Sequence, residues 1–352
     1  MITENDKPLT LTIQLRGLTC FLNSDGTLNS NDPHYQAFVE TVQAALNCAY
    51  DSCGFNYDDV DVIAFCNPDL IGETIYEWQD KAGVRRGYTE GGELLVTAAK
   101  TVPHRCNDGR IQSSIVINAL LLGSIVDVIQ AETPFEEWNA DQQQWLYVVA
   151  HELGHAHDNA LRHHLSEDQI ELNEERDTEA ISRHYAGVLA SEFLACFYSS
   201  PLVTAKVQDG MINAWHELAE QLIESVLRAK LNFGTDPFLF AGHHLWIAML
   251  EFAKLVGHRC ANPSLPRPHL WDDAQPEEQE VFDAIEEFLT KQFAPNSAPD
   301  GQMHLTQIAE SDVDGFVFQN LYPLWRKLCN CYGYEFDDTP ASDDAEDEEK
   351  NV

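Results

Sequence analysis

Basic side chains are scarce in this sequence. Twenty-one Lys and Arg stand against 58 Asp and Glu, a formal net charge of -37 over 352 residues. A surface of that sign repels phosphates, so no nucleic-acid partner is expected, whereas basic proteins and peptides are attracted. Long apolar runs are also missing. The longest, Ile115 to Val126, is interrupted by Asn118 and Ser124 and stops at Asp127, too short to cross a bilayer. Met1 to Asp6 has neither the basic nor the apolar segment of a secretory leader. Together these absences predict a protein of the cytoplasm with no membrane partner. The nine cysteines are odd in number and form no Cys-x-x-Cys pair, which points to reduced thiols in the core rather than a disulfide framework or a cysteine metal site.

What is present is enough hydrophobic sequence, 44%, to bury a sizeable core in one large domain or two lobes. Leu9 to Leu15 alternates with period two and predicts a strand; Tyr35 to Tyr50 carries apolar residues at helical spacing; Val60 to Phe65 predicts a second strand. Between Ile71 and Lys100 five glycines break the pattern, and only Glu93 to Ala98 reads as a short strand. Ile111 to Leu122 predicts a strand near Ser114 to Asn118 followed by a turn into helix. Beyond Asn159 the chain reads as almost wholly helical, over Thr178–Phe197, Met211–Leu231, Pro237–His258, Pro276–Phe293 and Val313–Cys331. The predicted class is therefore α+β. A mixed lobe occupies 1–165, a helical lobe 166–335, and an acidic tail without apolar content 336–352, expected to be disordered.

The stretch that carries chemistry runs from Trp145 to Asn159 and contains His151-Glu152-x-x-His155. Residues four apart lie on one face of a helix, so two imidazole nitrogens can meet at one metal ion. Glu152, one step round from His151, is then placed to take a proton from water at the open side of that metal. Apolar Leu146, Val148, Val149 and Leu153 surround the motif, and Asn139 followed by Gln142 predicts the helix start. The echo at His216-Glu217 ends in Glu220 where a second His is needed and reads as an ordinary amphipathic helix.

A catalytic zinc takes three protein ligands and keeps one position for water, so a third donor must come from elsewhere. Asp158 and Leu161 stand where the metzincin pattern needs Gly and His. Downstream, Glu174, Glu175 and Glu179 offer carboxylates near a helix start, and His163 and His164 offer imidazoles. Glu179-Ala180-Ile181-Ser182 resembles the helix by which thermolysin and related gluzincins supply a Glu ligand, and intracellular repressor-cleaving metallopeptidases carry a similar Glu-Ala pair. The resemblance spans about thirty residues and rests on His151, Glu152, His155 and Glu179. It implies a zincin-like core followed by a helical lobe, one Zn²⁺ per chain held by His151, His155 and Glu179, Glu152 as general base, and hydrolysis of a protein or peptide substrate. The chain departs from the thermolysin pattern at Arg183, where an Asp that braces a ligating His is expected; Asp158 and Asp177 are substitutes. His157 points to another helix face. His243, His244 and Tyr185 are candidates for oxyanion stabilisation or ordinary core residues. The competing expectation is a non-catalytic acidic binding protein, a nucleic-acid mimic or partner binder, with a structural metal.

Overall fold

The computed structural model describes residues 11–83, 98–162, 178–229, 237–293 and 313–334. Its first part is a four-stranded sheet in the order β1-β2-β4-β3, with β1 at Thr12–Arg16, β2 at Val60–Cys66, β3 at Ala99–Arg105 and β4 at Ile111–Asn118. The first three of these neighbours run parallel, while β3 lies antiparallel to β4 at the edge, Thr101 opposite Ile115. β2 and β4 are buried on both sides, and β2 accordingly reads as a near-continuous apolar run rather than an alternating one.

On one face Ile63, Phe65, Ile115 and Ile117 pack against α1 (Pro33–Cys53) and α4 (Ala140–Arg162); on the other, Val62, Ala64 and Val116 pack against Ile71, Ile75 and Trp78 of α2 (Ile71–Ala82). A short α3, Val126–Gln130, bridges the sheet to the motif helix. The start of α4 is a reciprocal cap: Gln142 N–H donates to Asn139 Oδ1 (2.9 Å) and Asn139 N–H to Gln142 Oε1 (3.0 Å). The remaining helices among the described residues are α5 (Thr178–Ser199), α6 (Ala205–Ala229), α7 (Pro237–Ala261), α8 (Pro276–Phe293) and α9 (Val313–Cys331), which enclose a second core around Phe193, Trp246, Phe282 and Trp325.

Mixed α/β structure with a large helical part agrees with the α+β expectation. Two elements are not legible in the sequence. Helix α2 contains Gly72 and opens the glycine-interrupted stretch, yet its Ile71, Thr74, Ile75 and Trp78 lie on one buried stripe. Strand β3 holds Pro103, Lys100 and Arg105, poor strand formers that an edge position tolerates. The strand expected at Glu93 to Ala98 and the acidic tail lie outside the described residues. No described helix is long and apolar enough to cross a membrane.

Two glycines set how α5 lies between its neighbours. A Cβ on Gly154 of α4 would meet the Ala195 carbonyl oxygen at 2.8 Å, and one on Gly257 of α7 would meet the Phe193 carbonyl oxygen at 2.4 Å. Helix α5 is thus clamped backbone to backbone on both sides, in the turn that follows Glu192.

Candidate metal centre

The clamp brings Glu192 over the motif. Among the described residues, one group of potential ligands converges on a point: His151, His155 and Glu192, with all donor atoms within 4.8 Å of one another. The two Nε2 atoms face each other at 3.1 Å; Glu192 Oε2 lies 3.2 Å from His151 Nε2 and Oε1 3.5 Å from His155 Nε2. Donors on a tetrahedral zinc with bonds of 2.0–2.1 Å are about 3.3 Å apart; the two imidazole nitrogens lie near that spacing, and Glu192 meets them through separate oxygens, Oε2 toward His151 and Oε1 toward His155. Glu192 Oε2 is closed off from solvent and makes no hydrogen bond of good geometry; the charges beside it are Lys254, at 3.6 Å, and His151 Nε2, at 3.2 Å.

Glu179, the expected third ligand, stands in the first turn of α5, and its side chain lies outside the described residues. It is thirteen residues before Glu192, about 20 Å of helix rise, so the carboxylate at the histidines is Glu192 instead. The resemblance points to the start of the right helix, but the close approach at Gly154 and Ala195 decides which turn of α5 faces α4. The sequence does hold a signal for it: Glu192 is the lone charge in the apolar run from Leu189 to Phe197, and a buried carboxylate in such a run needs a partner. Glu174, Glu175, His163, His164 and Asp177 lie outside the described residues.

Glu152 is buried, and its Oε2 accepts from Thr101 Oγ1 (2.7 Å), whose hydroxyl also lies 3.0 Å from the Glu152 carbonyl. A residue of the edge strand β3 therefore holds the Glu152 carboxylate.

The bracing Asp of the thermolysin pattern has no counterpart at Arg183, which lies over the Phe318 ring, 4.6 Å away. Other groups back the imidazoles. His155 Nδ1 meets Ser191 Oγ at 3.1 Å, and His151 Nδ1 meets Tyr147 Oη at 3.3 Å. Lys254 approaches Glu192 Oε2 to 3.6 Å and Glu251 Oε1 to 2.8 Å. Burial alone raises the Glu192 carboxyl, but Lys254 and the two imidazoles outweigh it and hold it well below the usual range. Burial lowers the imidazoles, yet His151 is pushed up to about 9 by Cys196 and Glu192, and His155 is raised chiefly by Glu192.

The other candidates lie elsewhere. His157 Nδ1 pairs with Asp59 Oδ2 at 2.8 Å on a different face of α4, as helical geometry requires. Asp158 is buried. The Tyr185 hydroxyl is hydrogen-bonded to His243 Nδ1, two turns before Glu192 along α5. His216 bonds the His269 carbonyl. Compared with family models, curated proteins and solved structures, the chain matches none.

Proposed function

We propose that this chain is a zinc-dependent peptidase with a zincin-like core, its ion held by His151, His155 and Glu192. One observation carries the reading: two imidazoles and a carboxylate converge from two helices, beside a buried side chain, Glu152, that belongs to the same motif but is anchored separately by Thr101. A structural zinc is closed by four protein ligands, whereas a three-donor set leaves a place for water. Bound zinc supplies Lewis acidity toward a carbonyl oxygen and brings the pKa of a water near 7.

The chain's residues do the rest. Glu152 takes a proton from the water as its oxygen bonds to the peptide carbon, and delivers it to the leaving nitrogen as the C–N bond breaks, so both atoms and charge balance. Thr101 keeps the carboxylate aimed, its hydroxyl donating to Oε2. Ser191 and Tyr147 hold the imidazole rings in plane from behind. Strand β3, at the edge of the sheet among the described residues and tied to Glu152 through Thr101, supports an extended peptide as substrate through main-chain hydrogen bonds. The net charge of -37 favours a basic one.

The test is cleavage of an unfolded lysine-rich protein, and of an unfolded acidic one, by zinc-loaded wild type and Glu152→Gln. Wild type is expected to cut the basic substrate and Glu152→Gln to bind zinc but cut at least a hundredfold more slowly, on the order of what a lost general base costs. Equal rates for the two enzymes, or no cleavage of either substrate, overturn the peptidase reading and leave a metal-bearing acidic binder.

A further inference from the structure

Behind His151 one polar string runs through an otherwise apolar interior. Gln208 of α6, His258 of α7 and Tyr147 of α4 are all buried, the first two fully. Gln208 Nε2 donates to the Leu255 carbonyl at 3.2 Å, which leaves Oε1 as an acceptor facing His258 Nδ1 at 3.0 Å. His258 therefore carries its proton on Nδ1 and presents a lone pair on Nε2. That lone pair lies 2.8 Å from Tyr147 Oη, so the Tyr147 hydroxyl donates to it. The Tyr147 oxygen keeps its own lone pairs for His151 Nδ1 and Cys196 Sγ, both at 3.3 Å. Flipping the Gln208 amide would set oxygen against the Leu255 carbonyl, so the direction of every link follows from one backbone group.

At the far end of the string Tyr147 Oη has given its proton to His258, so its bond with His151 Nδ1 is one that His151 donates; Cys196 Sγ lies 3.6 Å from the same nitrogen. Its neutral form then bears its lone pair on Nε2, the atom facing His155 and Glu192. Packing alone does not ask for this string. Three polar side chains from three helices lose their hydration on burial, and apolar residues of the same shape would fill the space without that cost.

We propose that Gln208, His258 and Tyr147 are positioning residues that fix the Nδ1–H tautomer of His151 and so aim its Nε2 lone pair at the metal. This rests on the reading of His151, His155 and Glu192 as the metal site. Helices α6 and α7 of the helical lobe thereby reach the metal through hydrogen bonds, without Gln208 or His258 touching a ligand directly.

The experiment uses the full chain with ¹⁵N-labelled histidine. Zinc affinity is measured by competition with a chromophoric chelator for wild type, Tyr147→Phe, Gln208→Leu and Val226→Ala, the last removing buried volume from the same lobe away from the string. Long-range proton–nitrogen correlation spectra report the tautomer of each imidazole. Wild type is expected to show neutral, Nδ1-protonated His258. Tyr147→Phe and Gln208→Leu should each bind zinc about ten- to a hundredfold more weakly, with the His258 signal in Gln208→Leu no longer held in one tautomer. Val226→Ala should lose stability and keep its zinc affinity. If zinc binds wild type and both string variants within about twofold of each other, against the tenfold or more expected, or if wild-type His258 is protonated on Nε2, the string proposal fails while the metal site stands. If wild type binds no zinc, the metal reading fails and the proposal falls with it.

Discussion

Gly154 separates a packing account of the site from a purely local one. It lies inside the motif, between Glu152 and His155, and in an isolated helix its replacement by Ala would stabilise by about 1 kcal/mol. In the folded protein the new Cβ would sit 2.8 Å from the Ala195 carbonyl oxygen and 3.1 Å from its Cα, against 3.4 Å or more for ordinary contact. Backbone atoms cannot swing aside as a side-chain tip can, so α5 has to retreat by roughly 0.6 Å or α4 has to bend. Overpacking of this kind costs about 1–3 kcal/mol. Set against the propensity gain, the expected net loss for Gly154→Ala is about 0–2 kcal/mol. Gly210 in α6 is the control, because a Cβ there meets nothing within 4 Å; Gly210→Ala should gain up to about 1 kcal/mol. Urea unfolding of the zinc-free proteins measures both. Because Glu192 rides on the displaced helix one turn from Ala195, zinc affinity should also fall about tenfold in Gly154→Ala and stay unchanged in Gly210→Ala. If the two alanine variants are equally stable and bind zinc alike, the backbone contact does not set the site and the reasoning is refuted.

Other expectations follow from single groups. Thr101→Val removes the donor to Glu152 Oε2; zinc content should stay at the wild-type level while peptide cleavage slows by about ten- to a hundredfold, and Thr101→Ser should recover most of it. Burial, with the charges of His151 and Lys254, pushes the His258 imidazole down to about 3 from an ordinary 6.5. The unfolded chain thus binds the proton first, so this group contributes stability that is complete above about pH 6.5 and is lost as pH falls toward 3. At pH 5 the loss is about 2 kcal/mol. Unfolding of zinc-loaded protein should show His258→Gln losing less stability than wild type between about pH 7.5 and 5, the window set by the unfolded imidazole, and parallel losses would contradict the buried neutral imidazole. Lys254→Met removes the cation nearest Glu192, and zinc-free protein should lose about 1–3 kcal/mol, less when zinc is bound, as read by unfolding with and without the metal.

Much of the fold is written locally. The apolar stripes of α5 and α7 to α9, and the Asn139–Gln142 cap of α4, depend on residues a few positions apart, and the structure has them where the spacing puts them, while α6 starts six residues before the expected Met211. So do His151 and His155, since the helix alone sets one above the other. The carboxylate beside the histidines is harder to read: its place in an apolar run marks Glu192 as needing a partner, but which partner depends on a crossing between α4 and α5, through Gly154 and Ala195, that no local pattern encodes. Glu179, at the start of α5, resembles a known arrangement, while the carboxylate that lies beside the histidines is Glu192, further along the same helix. The bracing groups are hidden for the same reason: Ser191, Tyr147, His258 and Gln208 come from four helices and meet only once the two cores are assembled. Strand β3 is obscured by Pro103 and its basic neighbours, although it supplies the residue that holds Glu152.

The central claim is that His151, His155 and Glu192 hold one zinc. Zinc per chain, by elemental mass spectrometry on wild type, His155→Ala, Glu192→Ala, Glu179→Ala and Glu152→Gln with folding verified by circular dichroism, tests it most directly. The account predicts about one zinc in wild type, Glu179→Ala and Glu152→Gln, and almost none in His155→Ala and Glu192→Ala. Full zinc in Glu192→Ala together with loss in Glu179→Ala, or a folded wild type that cannot be loaded at all, would contradict it.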